Sequence, residues 1–245
     1  MPVRSESPDR IVVGIDDTDM PGTPGTGRLA RVLSEHFEQA STGRVCGVTR
    51  HQLFEGPGVP KTSHNSAAAI VMTDADPQAA AAIGEEFLLR SHAEGSDPGI
   101  AVLVGRAPPQ VLAFALRAQR ELVTRSDAEV LAAEWGIHLR GLAGTEDGVI
   151  GALSAAALRE DGGDGRFVGL RGIRGLHGKM AVRDILSQSD IAAVVDEETG
   201  TPLGDEHVIE TYDWVRPRVV GHLPVLVARR NGGGWVHADA RTGAA

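Results

Sequence analysis

Cysteine and aromatic residues are scarce in this chain, and their scarcity excludes several kinds of protein. The 245 residues contain one cysteine, Cys46, so no disulfide forms within the chain and no zinc site can be built from several thiolates. Aromatic residues make up 4% of the sequence, which disfavours a platform on which unpaired bases would stack. A net charge of -9 and a pI of about 5.5 argue against a general nucleic-acid binder, which needs basic side chains to neutralise phosphates.

Long hydrophobic runs are lacking as well. No segment approaches the roughly 20 apolar residues that are needed to span a bilayer, and residues 1–9 lack the apolar stretch of a secretory signal peptide. We therefore expect a cytoplasmic protein with no membrane partner. The acidic composition favours a nucleotide and a small-molecule acceptor as partners over tRNA, and it leaves the oligomeric state open.

Strand-like and helix-like segments alternate along the chain, and this alternation predicts an α/β (α+β) fold with open sheets. Runs of β-branched and small apolar residues predict short strands over residues 11–15, 45–49, 67–72 and 100–104. Apolar periodicity and alanine content predict helices over residues 28–38, 78–90, 109–122, 127–135 and 148–158. From about residue 167 onward the pattern predicts mainly strands, the last of them over 219–229. We expect a disordered leader over 1–9 and a frayed tail over 231–245.

The most informative motif follows the first predicted strand. That strand leads directly into three carboxylates and then into a loop, residues 22–27, that is rich in glycine and threonine and opens a helix. Clustered carboxylates repel one another unless a cation screens them, and free N–H groups at a helix start attract phosphate. The motif therefore predicts Mg²⁺ bound by Asp16, Asp17 and Asp19. It also predicts a nucleotide-phosphate site that includes Gly25, Gly27 and Arg28.

Three other interpretations of this motif differ in how well they fit. A surface turn with an acidic helix cap would have the same composition. The loop is not a Walker A motif, because no Lys-Ser or Lys-Thr pair follows its last glycine. Residues 25–30 fit the relaxed dinucleotide fingerprint, but an acidic segment separates them from the strand and would repel a pyrophosphate that lacks a metal.

Three further motifs carry polar or small residues at places where a ligand would bind. Residues 59–67 form a polar run that includes Asn65, which we assign to the nucleotide site, with a plain polar loop as the alternative. Gly148 and Gly151 begin a small-residue helix and allow either phosphate binding or tight helix–sheet packing. Arg171 and Arg174, with Lys179, would neutralise a polyphosphate or form a solvated turn.

Taken together, these motifs resemble the tRNA-Ile 2-agmatinylcytidine synthetase family of archaea. The resemblance covers roughly residues 10–176 and rests on Gly14-Ile-Asp-Asp-Thr-Asp19, Gly25-Thr-Gly-Arg-Leu-Ala30, Val59-Pro60 with Asn65, Asp97-Pro-Gly99 and Gly148-Val-Ile-Gly-Ala-Leu153. The first and last of these motifs are fairly specific as a pair. Two departures stand out: Gly25-Thr26-Gly27 replaces the family's Cys-Thr-Thr, and Thr62-Ser-His-Asn65 replaces most of its Lys-Thr-Arg-Gly-Asn.

The resemblance implies ATP and Mg²⁺ as cofactors and assigns roles by position. Asp16, Asp17 and Asp19 would bind Mg²⁺ and nucleotide phosphates, with Asp17 also catalytic, and Thr26 would accept a phosphoryl group. The resemblance implies a kinase-like domain, which we assign to residues 10–66 with about 125–176, and a ferredoxin-like portion, which we assign to about 67–124. The strand-like pattern over 177–230 predicts a small β-rich extension instead of the family's further domains. With one cysteine in the chain, we do not expect the family's zinc ribbon, nor its OB-fold.

Three functions are consistent with the sequence. The leading one is an ATP- and Mg²⁺-dependent transferase or ligase that acts on a small, unidentified acceptor. The second is a tRNA-modifying enzyme that relies on a partner chain to bind RNA. The third is a nucleotide-binding regulatory module without turnover.

Overall fold

The computed structural model describes residues 10–58, 64–212 and 214–239, and the chain divides into two compact units, 1–161 and 162–245. The predicted leader over 1–9 lies outside the described residues. No helix in the described part of the chain is long and apolar enough to cross a membrane.

The first unit contains an antiparallel sheet of five strands in the order β5-β4-β1-β3-β2. Its strands are β1 (Arg10–Asp16), β2 (Arg44–Gln52), β3 (Ser66–Thr73), β4 (Gly99–Val104) and β5 (His138–Gly141). Five helices accompany the sheet: α1 (Thr26–Gln39), α2 (Pro77–Ser91), α3 (Pro109–Ala118), α4 (Arg125–Trp135) and α5 (Gly148–Asp161). The predicted α/β class is confirmed.

Local sequence explains where several of these helices begin and end. The Asp76 side chain accepts a hydrogen bond from the Gln78 backbone N–H, and Pro77 occupies the first position of α2, where no N–H is needed. Thr124 caps α4 in the same way, and Gly136, with a φ of 63°, ends it in the left-handed conformation.

The order of the first four strands and two helices is the ferredoxin-like split βαβ arrangement, spanning residues 10–104. Strand β1 lies between β3 and β4, with Val13 paired to Ile70 on one side and to Val102 on the other. The structure therefore differs from the predicted division, which placed the ferredoxin-like portion in residues 67–124 and β1 in another domain. Strand pairing is a long-range property, and the local pattern of each strand does not contain it.

Helix α5 packs closely on the sheet because small residues line the contact. A Cβ built on Gly14 of β1 would come within 2.0 Å of the Ala152 carbonyl oxygen of α5. Side chains on one face of the sheet, such as those of Val12 in β1 and Ala101 in β4, belong to the same buried cluster as residues of α3 and α5. This close approach brings the start of α5 to the end of β1, where the predicted carboxylates lie.

The second unit is built around strands in the order β6-β10-β11-β12-β9-β7, with β8 paired to β11. Its elements are β6 (Arg166–Gly169), a 3₁₀ turn (Ile173–Gly175), β7 (Lys179–Ala181), α6 (Val182–Gln188), β8 (Ala193–Asp196), β9 (Val208–Glu210), β10 (Arg218–Val220), β11 (Leu223–Asn231) and β12 (Gly234–His237). An apolar core that includes Ile185, Leu226 and Trp235 holds them together.

The structure differs from the sequence predictions at three places in this unit. The unit begins at residue 162 rather than 177, because β6 pairs with β10. The predicted strand over 219–229 is a hairpin that turns at Gly221 and His222, with φ values of 54° and 68°. Residues 234–237 of the predicted tail form β12, in which His237 is fully buried.

Candidate functional site

The end of β1 and the start of α5 border a cavity of about 220 Å³ in the first unit. One side is acidic and the other apolar. The acidic residues are Asp16, Asp17, Asp97, Glu121 and Asp147, and the apolar ones are Leu53, Phe54, Ala118, Leu122, Val123 and Ile150. Asn65, Gly58, Gly148 and Gly151 complete the lining. Among the described lining residues there is no lysine, arginine or histidine, so the cavity favours a cationic ligand.

Asp16 lies deepest in this acidic group. Its carboxylate fits against Gly151, where an added Cβ would come within 1.8 Å of Asp16 Oδ2. Burial raises the pKa of Asp16 from 3.8 to about 7, although the Asp17 backbone N–H partly offsets this, and the charges of Asp17 and Asp19 raise it further. The Asp16 carboxyl is therefore harder to ionise than an exposed aspartate unless a cation binds beside it.

Asp17 follows in a left-handed backbone conformation, with a φ of 49°. This conformation is uncommon for residues other than glycine, although aspartate tolerates it better than most. The pKa of Asp17 is raised by burial first and then by the charges of Asp97 and Asp19. A carboxylate whose ionisation is opposed by neighbouring negative charges is well suited to bind a metal ion or an amine.

Asp19 is also at this end of β1, but it caps helix α1 rather than lining the cavity. Its Oδ1 accepts hydrogen bonds from the Thr26 backbone N–H (3.0 Å) and the Thr26 hydroxyl (2.9 Å). The Thr18 hydroxyl donates in turn to the Thr26 hydroxyl oxygen (3.1 Å). The acidic-cap interpretation therefore describes Asp19, whereas Asp16 and Asp17 border the cavity.

The three aspartates predicted to bind Mg²⁺ thus do not all line the cavity: Asp16 and Asp17 do, and Asp19 does not. Within residues 10–58, 64–212 and 214–239, no three or more His, Cys, Asp or Glu side chains are grouped so as to hold a metal ion. The loop residues predicted to bind phosphate, Gly25, Gly27 and Arg28, are also absent from the described cavity lining, as is Thr26. Gly25 and Arg28 are exposed, whereas Thr26 is buried with 6% of its surface accessible.

Gly148 and Gly151 do line the cavity, and the start of α5 explains why they are glycines. The backbone N–H groups of Gly148, Val149 and Ile150 donate to the carbonyl oxygens of Asp97, Glu146 and Asp147, respectively. These three donors are therefore already engaged. A Cβ on Gly148 would come within 2.2 Å of the Asp97 carbonyl oxygen, so the packing interpretation accounts for this glycine directly.

Asn65 reaches the cavity from the start of β3. Its Nδ2 donates to the Phe54 carbonyl oxygen (2.7 Å) and its backbone N–H to Glu55 Oε1 (3.3 Å), which fixes the amide in place. The neighbouring motif residues 59–63 lie outside the described part of the chain.

The predicted arginines belong to the second unit. Arg171 donates from Nε to Asp190 Oδ1 (2.8 Å), and the Arg174 guanidinium lies 4.0 Å from the centre of the Trp214 ring. Each side chain thus has a contact within its own unit.

Sequence reasoning did not assign three acidic residues of the cavity to the site: Asp97, Glu121 and Asp147. Asp97 belongs to the Asp97-Pro-Gly99 motif, which leads into β4. The antiparallel pairing of Asp16 with Gly99 brings Asp97 to the end of β1. Asp147 directly precedes the small-residue helix α5. Local sequence gives neither position, because the first depends on strand pairing and the second on how α5 packs against the sheet.

No family model matches the sequence. An uncharacterized protein of Methanocaldococcus jannaschii is 28% identical over 155 residues, which cover 62% of this chain and 51% of that protein. The chain thus spans about half the length of this curated relative.

Solved structures of TiaS and of a tRNA labeling enzyme match the fold. A crystal structure of TiaS in complex with an isoleucine tRNA and ATP is 25% identical with a TM-score of 0.55, covering 61% of this chain and 36% of that one. A tRNA fluorescent labeling enzyme is 26% identical with a TM-score of 0.54, covering 60% of this chain and 36% of that one. The chain therefore resembles a part of TiaS, an agmatidine synthetase for isoleucine tRNA, which confirms the family resemblance seen in the sequence.

Proposed function

We propose that this chain is an ATP- and Mg²⁺-dependent enzyme of the phosphoryl-transfer or ligase type, with a small cationic molecule as its acceptor. The observation that carries the proposal is the cavity at the end of β1, which combines five carboxylates with an apolar wall. Structural carboxylates are ordinarily paired with basic residues, and the described lining contains none. The likeness to TiaS bound to ATP supports the use of this nucleotide.

The donor set fits magnesium in the form in which enzymes usually bind it. Mg²⁺ typically takes one or two carboxylates together with phosphate oxygens of the substrate and water, rather than an all-protein cage. Asp16 and Asp17, at the end of β1, would supply these carboxylates. When bound, the cation would offset the repulsion between ATP and the acidic side of the cavity.

The same charge distribution supports a cationic acceptor. A molecule with an ammonium or guanidinium group and a short apolar stem would place its charge among the carboxylates and its stem against Phe54, Leu122 and Ile150. Agmatine, which gives the resembled family its name, has this chemistry. Glu121 contributes less charge than the others, because Arg117 donates to its carboxylate (2.7 Å).

Thr26 would be the phosphoryl acceptor if the reaction passes through a covalent step. Its hydroxyl donates to Asp19, which is the arrangement of a nucleophile beside a general base. In that step the Thr26 oxygen would bond to the γ-phosphorus of ATP, the bond to the ADP oxygen would break, and the proton would pass to Asp19. We expect intact-mass analysis after incubation with Mg-ATP to show one phosphate adduct that is lost in Thr26→Ala. The adduct should persist in Thr23→Ala, a matched change at an exposed threonine of the same loop.

The decisive experiment measures the products of ATP with the full chain. ADP and AMP would be resolved after incubation with Mg²⁺, with and without agmatine, putrescine or arginine. We expect ATP consumption that requires Mg²⁺ and increases with an amine acceptor. Asp16→Asn and Asp17→Asn should each reduce it at least on the order of a hundredfold, because each removes a charge that the cation needs. Asp127→Asn, at an exposed position on α4, should leave it unchanged.

Two results would contradict the proposal. Tight Mg-ATP binding without any turnover would indicate a regulatory module instead. Turnover that is equal in the wild type and in both Asn variants would place the reaction outside this cavity.

A tRNA-modifying function is the second candidate, and the likeness to TiaS bound to tRNA favours it. Against it, Arg166 pairs with Asp239 (3.0 Å) and Arg171 with Asp190, which reduces the basic charge of the 166–179 segment. The test is a fluorescence anisotropy titration with total tRNA at moderate salt. Sub-micromolar binding that Arg174→Ala abolishes would favour the tRNA function over the small-acceptor one.

A further inference from the structure

Asp97 touches three segments of the candidate site at once. Its side chain receives two hydrogen bonds from one residue: the Thr145 backbone N–H donates to Oδ1 (2.9 Å) and the Thr145 hydroxyl to Oδ2 (2.7 Å). Both oxygens of this carboxylate are therefore engaged by the loop that precedes α5. A carboxylate engaged in this way is oriented by the protein before any ligand arrives.

The backbone of Asp97 makes the other two connections. Its carbonyl oxygen accepts the hydrogen bond of the Gly148 N–H (3.2 Å), at the first residue of α5. Its backbone also hydrogen-bonds to the Asp17 carboxyl, at the end of β1. One residue thus fixes the position of α5 relative to the carboxylate that we assign to the cation.

Close packing and a further hydrogen bond leave this arrangement little room to relax. Gly144 has a φ of 62°, and a Cβ there would come within 1.4 Å of Asp97 Oδ1. Arg125 Nη1 also donates to the Thr145 carbonyl oxygen (2.5 Å). Thr145 is therefore held by two side chains from outside the loop, and the Asp97 carboxylate fills the space that a side chain at 144 would occupy.

We propose that Asp97 is a positioning residue for the reaction and does not bind the cation. Acting through Thr145 and Gly148, it sets the spacing between Asp17 and the start of α5, which Asp147 directly precedes. The inference rests on the proposed function, because the spacing matters only if the cavity binds Mg-ATP. It explains why a further acidic side chain stands in a cavity whose like charges already repel one another.

A double-mutant cycle between Asp97 and Thr145 distinguishes positioning from cation binding. Thr145→Val keeps the shape and the backbone N–H but removes the hydroxyl, and Asp97→Asn keeps one acceptor oxygen. We expect each change to lower kcat for Mg²⁺-dependent ATP turnover on the order of tenfold to a hundredfold, because small misplacements of reacting groups are this costly. The Mg²⁺ concentration for half-maximal activity should change less than about twofold. The double variant should be no worse than the more impaired single variant.

Thr145→Ser should restore most of the activity, since serine keeps the hydroxyl. Thr199→Val is the matched control, because Thr199 donates to Asp196 Oδ2 (3.1 Å) in the second unit, in the same kind of hydroxyl–carboxylate bond. That variant should retain wild-type turnover. If Asp97→Asn instead raises the half-maximal Mg²⁺ concentration tenfold or more while Thr145→Val is active, Asp97 is a cation ligand and the proposal is wrong.

Hydrogen–deuterium exchange separates this inference from the proposed function. Whether or not the wild-type chain turns ATP over, Thr145→Val should speed amide exchange at residues 144–150 at least severalfold and leave β1 unchanged. A chain without turnover but with this exchange pattern would refute the proposed function and keep Asp97 as the residue that orders the loop. Unchanged exchange in Thr145→Val would overturn the positioning role itself.

Discussion

Replacing Asp16 with asparagine is expected to stabilise the chain at neutral and alkaline pH, although it removes a proposed metal ligand. The folded chain raises the pKa of Asp16 from 3.8 to about 7, chiefly by burial. Between these values the folded state holds a proton that the unfolded state has released. The free energy of unfolding therefore falls as the pH rises through this window, and the loss is complete above about 7.

The size of the effect follows from the shift. Each pKa unit corresponds to about 1.4 kcal/mol, so a shift of about three units costs the folded wild type about 4 kcal/mol above the window. This figure is an upper bound, because the Asp16 side chain lines a cavity that admits water. Asparagine has nearly the same shape and cannot ionise, so Asp16→Asn escapes the loss.

Urea unfolding followed by circular dichroism across the pH window measures this prediction. The stability of Asp16→Asn relative to wild type should increase steadily as the pH passes from below 3.8 to above about 7. Adding Mg-ATP should stabilise the wild type, by about 2.7 kcal/mol at a hundred times its Kd, and leave the variant unchanged. A stability difference that is flat with pH would refute the assignment of a buried carboxylate with a raised pKa at this position.

Two further outcomes are expected. Gly151→Ala places a Cβ within 1.8 Å of Asp16 Oδ2. Thermal unfolding should therefore show that the variant loses roughly 1–3 kcal/mol of stability, and Mg-ATP binding should weaken. Gly175→Ala, where a Cβ meets no atom within 4 Å, should have neither effect. Burial lowers the pKa of His237 from 6.5 to about 4. The free energy of unfolding of the second unit should therefore fall by up to about 3 kcal/mol as the pH decreases through this range. An NMR titration in which the imidazole is protonated near pH 6.5 would contradict the burial argument.

The part of the site that lies within a short stretch of chain is predictable from the sequence. A buried strand that ends in carboxylates predicts an acidic edge of a sheet, and Asp16 and Asp17 are found there. Asp19 belongs to the same motif, yet it caps α1 through Thr26, seven residues later. Both roles suit an aspartate after a strand, and only the path of the loop decides between them.

The remaining part of the site depends on which strands pair. Asp97 reaches the end of β1 because β4 runs antiparallel to it, and Asp147 reaches it because α5 crosses the same sheet. The same pairing places β1 in the centre of the ferredoxin-like arrangement, whereas the sequence pattern assigns it to a separate domain. Helix α6 is not predicted for another reason: at seven residues, Val182–Gln188 is too short to show a helical period clearly.

The raised pKa values and the backbone strain at the cavity favour a functional role for its carboxylates over a structural one. Asp16 is held with a raised pKa, Asp17 has a raised pKa and a left-handed backbone, and like charges surround both. Each of these features lowers the stability of the empty chain. In the second unit, by contrast, Asp239 is paired with both Arg166 and Arg218, which hold its pKa well below the usual range. The chain thus pairs a structural carboxylate with arginines, whereas the described lining of the β1 cavity offers Asp16 and Asp17 no lysine, arginine or histidine.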